Sequence, residues 1–318
     1  MAATAQLAAR ARPRSAPNPG VAAMLIRDGR VISRGWTQAG GRPHAEAHAL
    51  EGIAAGEAKG ATLYVTLEPC AHKSERGPSC VDLVTKARPS RVVIGHCDPD
   101  PRTAGLSIQQ LKREGIATSV LEDVASAASL RGYLTQERLG RPYVTLKLAV
   151  SLDGCIALAD GTSQWITGEA ARAHVHVHRA RSDAILVGGG TWRADRPRLD
   201  VRLPGIEAQS PKRFVLTRGV QPDGASVINR PAQIGELEAV QYLYVEGGAG
   251  VAASFLGEDL IDELHLYRAP IVIGDGLHAL GSLGLTDLDS AHGRWQRTEH
   301  RMLGSDSFEA YQRIRQEN

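Results

Sequence analysis

Four side chains from separate stretches of the sequence have the chemistry of a hydrolytic metal centre. His44, Cys70 and Cys80 offer one imidazole and two thiolates, and three such ligands leave a tetrahedral Zn²⁺ ion with one open position, as in catalytic zinc sites. Glu46 follows His44 by two residues, and a carboxylate that does not bind the metal can take a proton from zinc-bound water and deliver it to a leaving group. We expect Cys70 to begin a helix, because the positive end of a helix favours a thiolate over a thiol.

The motifs around these residues narrow the chemistry further. A His-x-Glu at 44–46, a Pro-Cys at 69–70 and the later Cys80 are together typical of zinc-dependent nucleobase deaminases. Nine residues, 71–79, separate the two cysteines, where that signature has Cys-x-x-Cys. The sequence therefore predicts a deaminase-like centre with an enlarged loop between its two thiolates.

Two structural alternatives remain open for the same residues. Either His48 or His72 completes a closed zinc knuckle as a fourth ligand, or the two cysteines are buried and unrelated. A purely structural site has no use for Glu46 or Pro69, so the sequence favours the catalytic interpretation.

A glycine run in the second half of the chain could hold a phosphorylated ligand. A strand pattern leads into Gly188, Gly189 and Gly190, where the backbone can approach a ligand closely and its N–H groups suit phosphate oxygens. The G-x-G-x-x-G fingerprint of dinucleotide-binding folds is absent, because Arg193 stands at the position of the third glycine. The run therefore predicts a phosphate contact without a Rossmann fold.

Strand-like and helix-like segments alternate along both halves, which indicates largely parallel sheets covered by helices. Asp28-Gly29 predicts a hairpin between strands over 21–26 and 31–35. The other predicted helices of the first half are 44–55, 80–86, 107–114 and 122–136, and its later strands are 62–66, 91–95 and 118–121. The predicted strands of the second half are 143–150, 184–187, 214–216, 243–245 and 263–269, and Thr167 is expected to cap a helix over 169–181.

The polar segment 137–142 is the best candidate for a domain boundary. A length of 318 residues suits two domains of ~100–200 residues each. We therefore predict two α/β domains, residues 1–140 and 141–318.

Composition and charge exclude several classes of protein. Lys plus Arg minus Asp plus Glu is 37 − 35 = +2, too balanced for a nucleic-acid coat, and 4% aromatic residues offer few surfaces for stacking bases. No apolar run approaches the ~18 residues of a membrane span. Four cysteines are too few for a disulfide scaffold, so we expect reduced thiols and a cytoplasmic protein.

The first 27 residues contain Arg10, Arg12, Arg14 and Arg27 and no acidic residue, a composition found in transit peptides. They lack an apolar signal core, and a strand pattern begins at Val21, so we expect an amphipathic first helix over residues 2–11 instead.

His174, His176 and His178 have the composition of a metal-binding tract. On a helix, side chains two residues apart point about 200° away from each other. We therefore do not expect these three imidazoles to bind one ion.

Four motifs of the first half stand in an order that resembles one enzyme family. They are Ala-Pro-Asn-Pro at 16–19, Pro-His-Ala-Glu at 43–46, Thr-Leu-Glu-Pro-Cys at 66–70 and Asp-Pro-Asp-Pro at 98–101. The series resembles the deaminase half of the bifunctional deaminase–reductases of riboflavin biosynthesis. The resemblance implies a cytidine-deaminase-like α/β/α sandwich that holds Zn²⁺. It also implies hydrolytic deamination of a 2,5-diamino-6-ribosylamino-pyrimidinone 5′-phosphate.

The resemblance further implies substrate contacts in this half. Asn18 would contact the pyrimidine, and the 71–79 loop, with His72, Lys73 and Arg76, would lie near the sugar phosphate. The alternatives are that Asn18 is a turn residue before Pro19 and that the loop cations are simply solvated.

The motifs of the second half continue the resemblance, which extends over about residues 10–275. They are Lys-Leu-Ala-Val-Ser-Leu-Asp-Gly at 147–154, Ser-Gln-Trp-Ile-Thr-Gly at 163–168, the segment 182–191 and Val-Glu-Gly-Gly at 245–248. They resemble the reductase half of the same family. This implies a dihydrofolate-reductase-like α/β domain that uses NADPH to reduce the ribosyl group to a ribityl group. A homo-oligomer acting on a small molecule, with no nucleic-acid or membrane partner, is also implied.

The resemblance assigns residues of the second half to ligands. The implied cofactor contacts are Val150, Trp165, Thr191 and Asp195, and the implied substrate contacts are Ser163, Arg179, Arg202 and Glu246. Arg202 suits a phosphate because a guanidinium can hold two oxygens at once, and Lys147 and Asp153 are further candidates near the site. The structural alternatives are Trp165 in the core, Asp195 as a turn cap and Glu246 as an acceptor of backbone N–H groups.

The chain departs from the family pattern at a few positions. Ala22 and Ser107 stand where glycine is usual, and Thr217 stands where aspartate is usual. Glu246 follows Leu216 by only 30 positions, which predicts the loss of a strand–helix portion. Ala22 and Ser107 remove no zinc ligand and bear on loop geometry in the deaminase half. Thr217 and the short segment bear on the reductase half.

Three other functions remain as alternatives. The chain could be a deaminase only, with a degenerate reductase half, or a deaminase of nucleosides or RNA. RNA binding would weaken steeply with salt, and the near-neutral charge argues against it. A zinc-stabilised binding protein without activity is the third.

Overall fold

A computed structural model describes residues 1–72, 77–219 and 222–315. The chain forms two compact units, Met1–Arg141 and a second that begins at Pro142. No helix in these ranges has both the length and the apolar character needed to cross a bilayer.

The first unit is a five-stranded sheet with helices packed on it. The strands are β1 (Ala22–Arg27), β2 (Arg30–Trp36), β3 (Thr62–Leu67), β4 (Arg91–His96) and β5 (Ala117–Val120), and the sheet order is β2-β1-β3-β4-β5. The helices are α1 (Ala2–Ala8), α2 (Ala45–Glu51), α3 (Cys80–Ala87), α4 (Leu106–Arg113), α5 (Val124–Ser129) and α6 (Arg131–Leu139). β3, β4 and β5 are parallel, and β1 runs antiparallel to β2 and β3. Asp28 and Gly29 both have positive φ in the β1–β2 turn, which confirms the predicted hairpin.

Several predicted helix bounds in this unit are wrong. α1 ends at Ala8 and α2 at Glu51, each before its predicted end at residue 11 or 55. The helix predicted over 122–136 is two helices that meet at Leu130. Glu122 has a positive φ, so helix α5 begins only after Asp123, whose carboxylate accepts from the Ser126 N–H at 2.8 Å.

The second unit is an eight-stranded mixed sheet. Its strands are β6 (Tyr143–Val150), β8 (Ala184–Gly188), β9 (Lys212–Leu216), β10 (Ser226–Ile228), β11 (Tyr242–Val245), β12 (Glu263–Arg268), β14 (Trp295–Leu303) and β15 (Asp306–Arg313), in the order β10-β9-β8-β11-β6-β12-β15-β14. β7 (Cys155–Leu158) and β13 (Gly276–His278) form a separate ribbon, and the helices are α7 (Glu169–Arg179), α8 (Gly189–Asp195) and α9 (Ala249–Gly257). The strands from β10 to β12 are parallel, so their carboxyl ends form one edge.

The start of α7 and the 216–246 segment differ from prediction. Gly168, not Thr167, precedes α7, and its N–H donates to the Asp306 carboxylate at 2.7 Å. The segment predicted to have lost a strand–helix portion retains strand β10 and a 3₁₀ turn, Pro231–Glu236. The described part of the connection between β9 and β11 thus keeps a strand and contains no α-helix.

Candidate functional sites

Three side chains of the first unit converge on one point. His44 precedes α2, Cys70 lies in the loop after β3, and Cys80 is the first residue of α3. The Nδ1 atom of His44 lies 3.6 Å from Sγ of Cys70 and 3.3 Å from Sγ of Cys80, and the three atoms lie within 4.8 Å of one another. One imidazole and two sulfurs around a common point fit the donor set that Zn²⁺ prefers.

The prediction that Cys70 begins a helix is wrong, because Cys80 holds that place in α3. The Cys80 N–H donates to Sγ of Cys70 at 3.3 Å, so the positive end of α3 still reaches the Cys70 sulfur. A hydrogen bond from the Cys80 thiol lowers the pKa of Cys70. Of the two cysteines, Cys70 is therefore the one that more readily loses its proton to form a thiolate.

Glu46 lies in the first turn of α2 and is buried. Burial, with the nearby Cys70 charge, raises the pKa of its carboxyl group to about 7. Among the described residues, the group of metal-binding atoms contains His44 and the two cysteines but not Glu46. A buried carboxyl group beside the metal ligands and near neutrality in pKa suits transfer of a proton in both directions.

The described residues give no fourth protein ligand. Nδ1 of His48 instead lies 3.3 Å from the Trp36 N–H nitrogen and 2.9 Å from Nε2 of Gln38, and neither His48 nor His72 joins the group of donors. The closed-knuckle alternative therefore finds no support in the described part of the chain. Lys73 and Arg76 lie outside the described residues.

Asn18 touches a metal ligand. Its side-chain nitrogen lies 2.9 Å from Nε2 of His44 and donates to the Gly41 carbonyl at 3.0 Å. The sequence predicts Asn18 as a substrate contact and gives no signal for this contact with His44.

A buried acid that sequence reasoning left without a role holds the loop before Cys70. The Glu68 carboxylate accepts from the Ser107 hydroxyl at 2.8 Å, the Gly105 N–H at 3.1 Å and the Asp98 N–H at 3.4 Å. Ser107, a departure from the family pattern, is thus a hydrogen-bond donor to this acid. The sequence feature that could have pointed to Glu68 is its place directly before Pro69 and the metal ligand Cys70.

The second unit contains a cavity of about 620 Å³. Seven of the eight residues predicted to contact cofactor or substrate line it, namely Ser163, Trp165, Arg179, Thr191, Asp195, Arg202 and Glu246. Lys147 lines it as well, and burial lowers the pKa of its amine.

Two predicted residues are not brought to this cavity. Val150 does not line it and packs in the core with Val144 and Leu146. The Asp153 carboxylate is exposed and accepts from the Ile273 and Gly274 N–H groups.

Arg179 and Glu246 form a buried ion pair in the cavity wall. Nε and Nη2 of Arg179 lie 2.6 Å and 2.8 Å from the two Glu246 carboxylate oxygens, and the side chains are 11% and 10% exposed. Burial alone would raise the pKa of Glu246, but the guanidinium charge lowers it to about 2. The carboxylate therefore binds a guanidinium, not the backbone donors of the Gly-Gly turn.

Trp165 is 64% exposed at the cavity, so the alternative that places it in the core is wrong. The Arg172 guanidinium lies 4.7 Å from the centroid of its ring. Arg196, Arg198 and Arg202 also line the cavity. A cationic cavity with an exposed aromatic side chain fits a phosphorylated dinucleotide or sugar phosphate.

The glycine run follows strand β8. A Cβ on Gly188 would lie 2.6 Å from Cγ2 of Val251, and one on Gly189 would lie 2.8 Å from Oγ1 of Thr217, whereas Gly190 faces open space. The first two glycines are thus required by packing, and only Gly190 leaves room for the ligand expected from the sequence.

Two known families match the chain. The cytidine and deoxycytidylate deaminase zinc-binding region matches residues 1–96, and the RibD C-terminal domain matches residues 142–307. The riboflavin biosynthesis protein RibD of Corynebacterium ammoniagenes is 42% identical over a gapped alignment of 289 positions, which covers 85% of this chain and 84% of that protein. The RibD of Escherichia coli K12 is 36% identical over a gapped alignment of 356 positions, which covers 96% of each chain.

Solved structures agree with these matches. RibD of Acinetobacter baumannii is 31% identical, with a TM-score of 0.87 over 99% of both chains. A Thermotoga maritima protein named diaminohydroxyphosphoribosylaminopyrimidine deaminase/5-amino-6-(5-phosphoribosylamino)uracil reductase is 29% identical, with a TM-score of 0.87 over 98% of this chain and 97% of that one. The predicted pair of folds, deaminase first and reductase second, is confirmed.

Proposed function

The chain belongs to the RibD family of bifunctional riboflavin-biosynthesis enzymes, and from this premise we propose the substrates and the residues that act on them. The enzyme carries a zinc deaminase domain and an NADPH-dependent reductase domain. The proposed first substrate is the 2,5-diamino-6-ribosylamino-pyrimidinone 5′-phosphate, and its deaminated product is the proposed substrate of the reductase. The name of the Thermotoga maritima relative supports both assignments.

In the deaminase, His44, Cys70 and Cys80 would hold the zinc ion, which as a Lewis acid makes hydroxide available from water near neutral pH. Glu46 accepts a proton at its carboxylate and delivers it to the amine that leaves the pyrimidine. The observation that carries this proposal is the three-ligand group with the buried Glu46 beside it. Asn18 would contact the pyrimidine while it also touches His44.

In the reductase, Trp165, Thr191 and Asp195 would hold NADPH, which supplies the hydride for C1′ of the ribosyl group. Ser163, Arg179, Arg202 and Glu246 would hold the sugar phosphate. Support comes from their common cavity and its several guanidinium groups. Arg202 is half exposed and its Nε lies 3.6 Å from an Asp200 oxygen, so it can turn toward a phosphate at little cost.

We propose that residues 1–140 carry the first reaction and residues 141–318 the second. The proposed assembly is a homo-oligomer, and the proposed location is the cytoplasm, where free cysteines such as Cys70, Cys80 and Cys155 remain reduced.

The test is a two-stage assay on the full-length zinc-loaded protein. The diaminopyrimidine phosphate should release ammonia without NADPH, and added NADPH should then be oxidised. Glu46→Gln should keep zinc and reduce ammonia release by roughly 10²- to 10⁴-fold. Glu51→Gln, which changes an exposed glutamate of the same helix, is the matched control and should leave the rate unchanged.

Two outcomes would contradict the proposal. Ammonia release by Glu46→Gln at the normal rate would remove the proton-transfer role. Ammonia release without any NADPH oxidation would leave a deaminase with an inactive reductase half.

A further inference from the structure

Two arginines stand at the carboxyl ends of neighbouring strands β9 and β10. Arg218, Asn229, Arg230 and Gln233 line a shallow depression there. In the parallel register, Leu216 lies opposite both Gly188 of β8 and Ile228 of β10. The residues that follow each strand therefore share one edge of the sheet.

Packed residues connect this edge to the wall of the large cavity. Thr191 lines the cavity, and its neighbour Gly189 packs so closely on Thr217 that a Cβ would lie 2.8 Å from Oγ1 of Thr217. Thr217 in turn donates its N–H to the Ile228 carbonyl at 3.0 Å. A path along the strand ends thus leads from the cavity past Thr217 to Arg218 and Arg230.

The strand order indicates how a dinucleotide would lie along this path. The chain runs from β8 outward to β9 and β10, and then returns to place β11 between β8 and β6. In open α/β sheets a dinucleotide binds at the carboxyl edge where the strand order reverses. If the nicotinamide end occupied the cavity at this reversal, the adenosine end would extend over β9 and β10.

The charges at the end of the path suit a phosphate. Within the described ranges neither Arg218 nor Arg230 has a carboxylate partner, whereas Arg179 is paired with Glu246. Glu236, an acid in the same 3₁₀ turn as Gln233, contacts the Gln233 amide at 3.4 Å. Two guanidinium groups without acids fit a doubly charged phosphate monoester.

We propose that Arg218 and Arg230 bind the 2′-phosphate of NADPH and thereby select it over NADH. The 2′-phosphate is the group by which the two cofactors differ, so residues that contact it set the preference. This inference rests on the reductase function proposed above and adds the residues that choose the cofactor.

Direct binding tests the proposal without turnover. Full-length protein is titrated calorimetrically with adenosine 2′,5′-bisphosphate and with 5′-AMP. Arg218→Gln/Arg230→Gln should weaken binding of the bisphosphate by about tenfold or more and leave 5′-AMP unchanged. The double lysine variant, which keeps both charges, should restore most of the loss, and Arg213→Gln on the same strand is the matched control.

Kinetics separate the possible sources of the phosphate. The glutamine double variant should raise KM for NADPH by about tenfold or more while KM for NADH and for the pyrimidine phosphate stays unchanged. An unchanged bisphosphate affinity, an equal loss for both nucleotides, or a raised KM for the pyrimidine phosphate alone would overturn the proposal. No oxidation of either cofactor would contradict the reductase function instead, and the calorimetry would still decide the role of the arginines.

Discussion

The Asn18 side-chain nitrogen lies 2.9 Å from Nε2 of His44, while Nδ1 of the same ring faces the two cysteine sulfurs. With Nδ1 on the metal, Nε2 keeps its hydrogen and needs an acceptor. A half-turn of the Asn18 amide about its Cβ–Cγ bond would give Nε2 an oxygen acceptor, at the cost of the bond from the amide nitrogen to the Gly41 carbonyl. Asn18 would therefore orient the ring of His44, a metal ligand, from the side opposite the metal.

Removing that acceptor should weaken the metal site. Asn18→Leu is expected to lower zinc affinity about 10- to 100-fold, because partners of ligand histidines fix the ring orientation. Asn18→Asp keeps an acceptor and should retain most of the affinity. Competition with a chelator of known affinity measures both. Normal zinc affinity in Asn18→Leu with lost ammonia release would leave Asn18 as a substrate contact alone.

Ser107 should matter for stability through Glu68. Ser107→Ala leaves a buried carboxylate without its hydroxyl donor, and the free energy of unfolding should fall by about 1–3 kcal/mol. Urea unfolding of the zinc-loaded protein measures the change. Ser119→Ala, which removes a hydroxyl bonded to the exposed Arg91 side chain, is the control and should have a much smaller effect. Equal effects of the two changes would deny Ser107 this role.

The buried Arg179–Glu246 pair should couple stability to reduction. Arg179→Gln leaves the Glu246 carboxylate buried without its cation and should lower the stability of the second unit by about 3–5 kcal/mol. NADPH oxidation should fall steeply, while ammonia release in the first unit should be unchanged. Arg301→Gln breaks a much more exposed pair with Glu299 and should cost under about 1 kcal/mol. Loss of ammonia release in Arg179→Gln would contradict the separation of the two reactions.

His174 should make stability depend on pH. Burial and the charge of Arg301 lower its pKa from 6.5 to about 4 in the folded protein. The unfolded chain therefore binds this proton at higher pH, so the contribution to stability is present above pH 6.5 and is lost as pH falls through about 4.

Substitution tests this window. His174→Gln should flatten the fall of the unfolding free energy between pH 6.5 and 4, as measured by urea titration at several pH values. His300→Gln, which removes an exposed imidazole on strand β14, is the matched control. A slope identical to that of the unmodified protein would contradict the assignment.

The residues that could be predicted from sequence are those whose chemistry depends on short spacing. The metal donors His44 and Cys70 lie within compact motifs, and the Asp28-Gly29 hairpin depends on two adjacent residues that tolerate positive φ. The alternation of strands and helices likewise predicted both α/β units.

What could not be predicted depends on pairing between distant segments. Ser107 reaches Glu68 across 39 residues, and Arg179 reaches Glu246 across 67, so neither contact has a local pattern. Val150 lies in a strand whose faces are assigned only when the sheet forms around it. The β14–β15 hairpin was missed because its strands carry many charges and little apolar alternation.

The sulfurs of Cys70 and Cys80 lie close together at the N-terminus of helix α3, and neither forms a disulfide bond. A two-electron oxidant that reached the two thiols before a metal ion did would take two electrons and two protons from them. The resulting disulfide would have no thiolate left to bind the ion. Oxidation would then stop deamination, while the reductase domain could still reduce deaminated substrate that is supplied to it. Binding of the metal ion would therefore also protect the two thiols from oxidation.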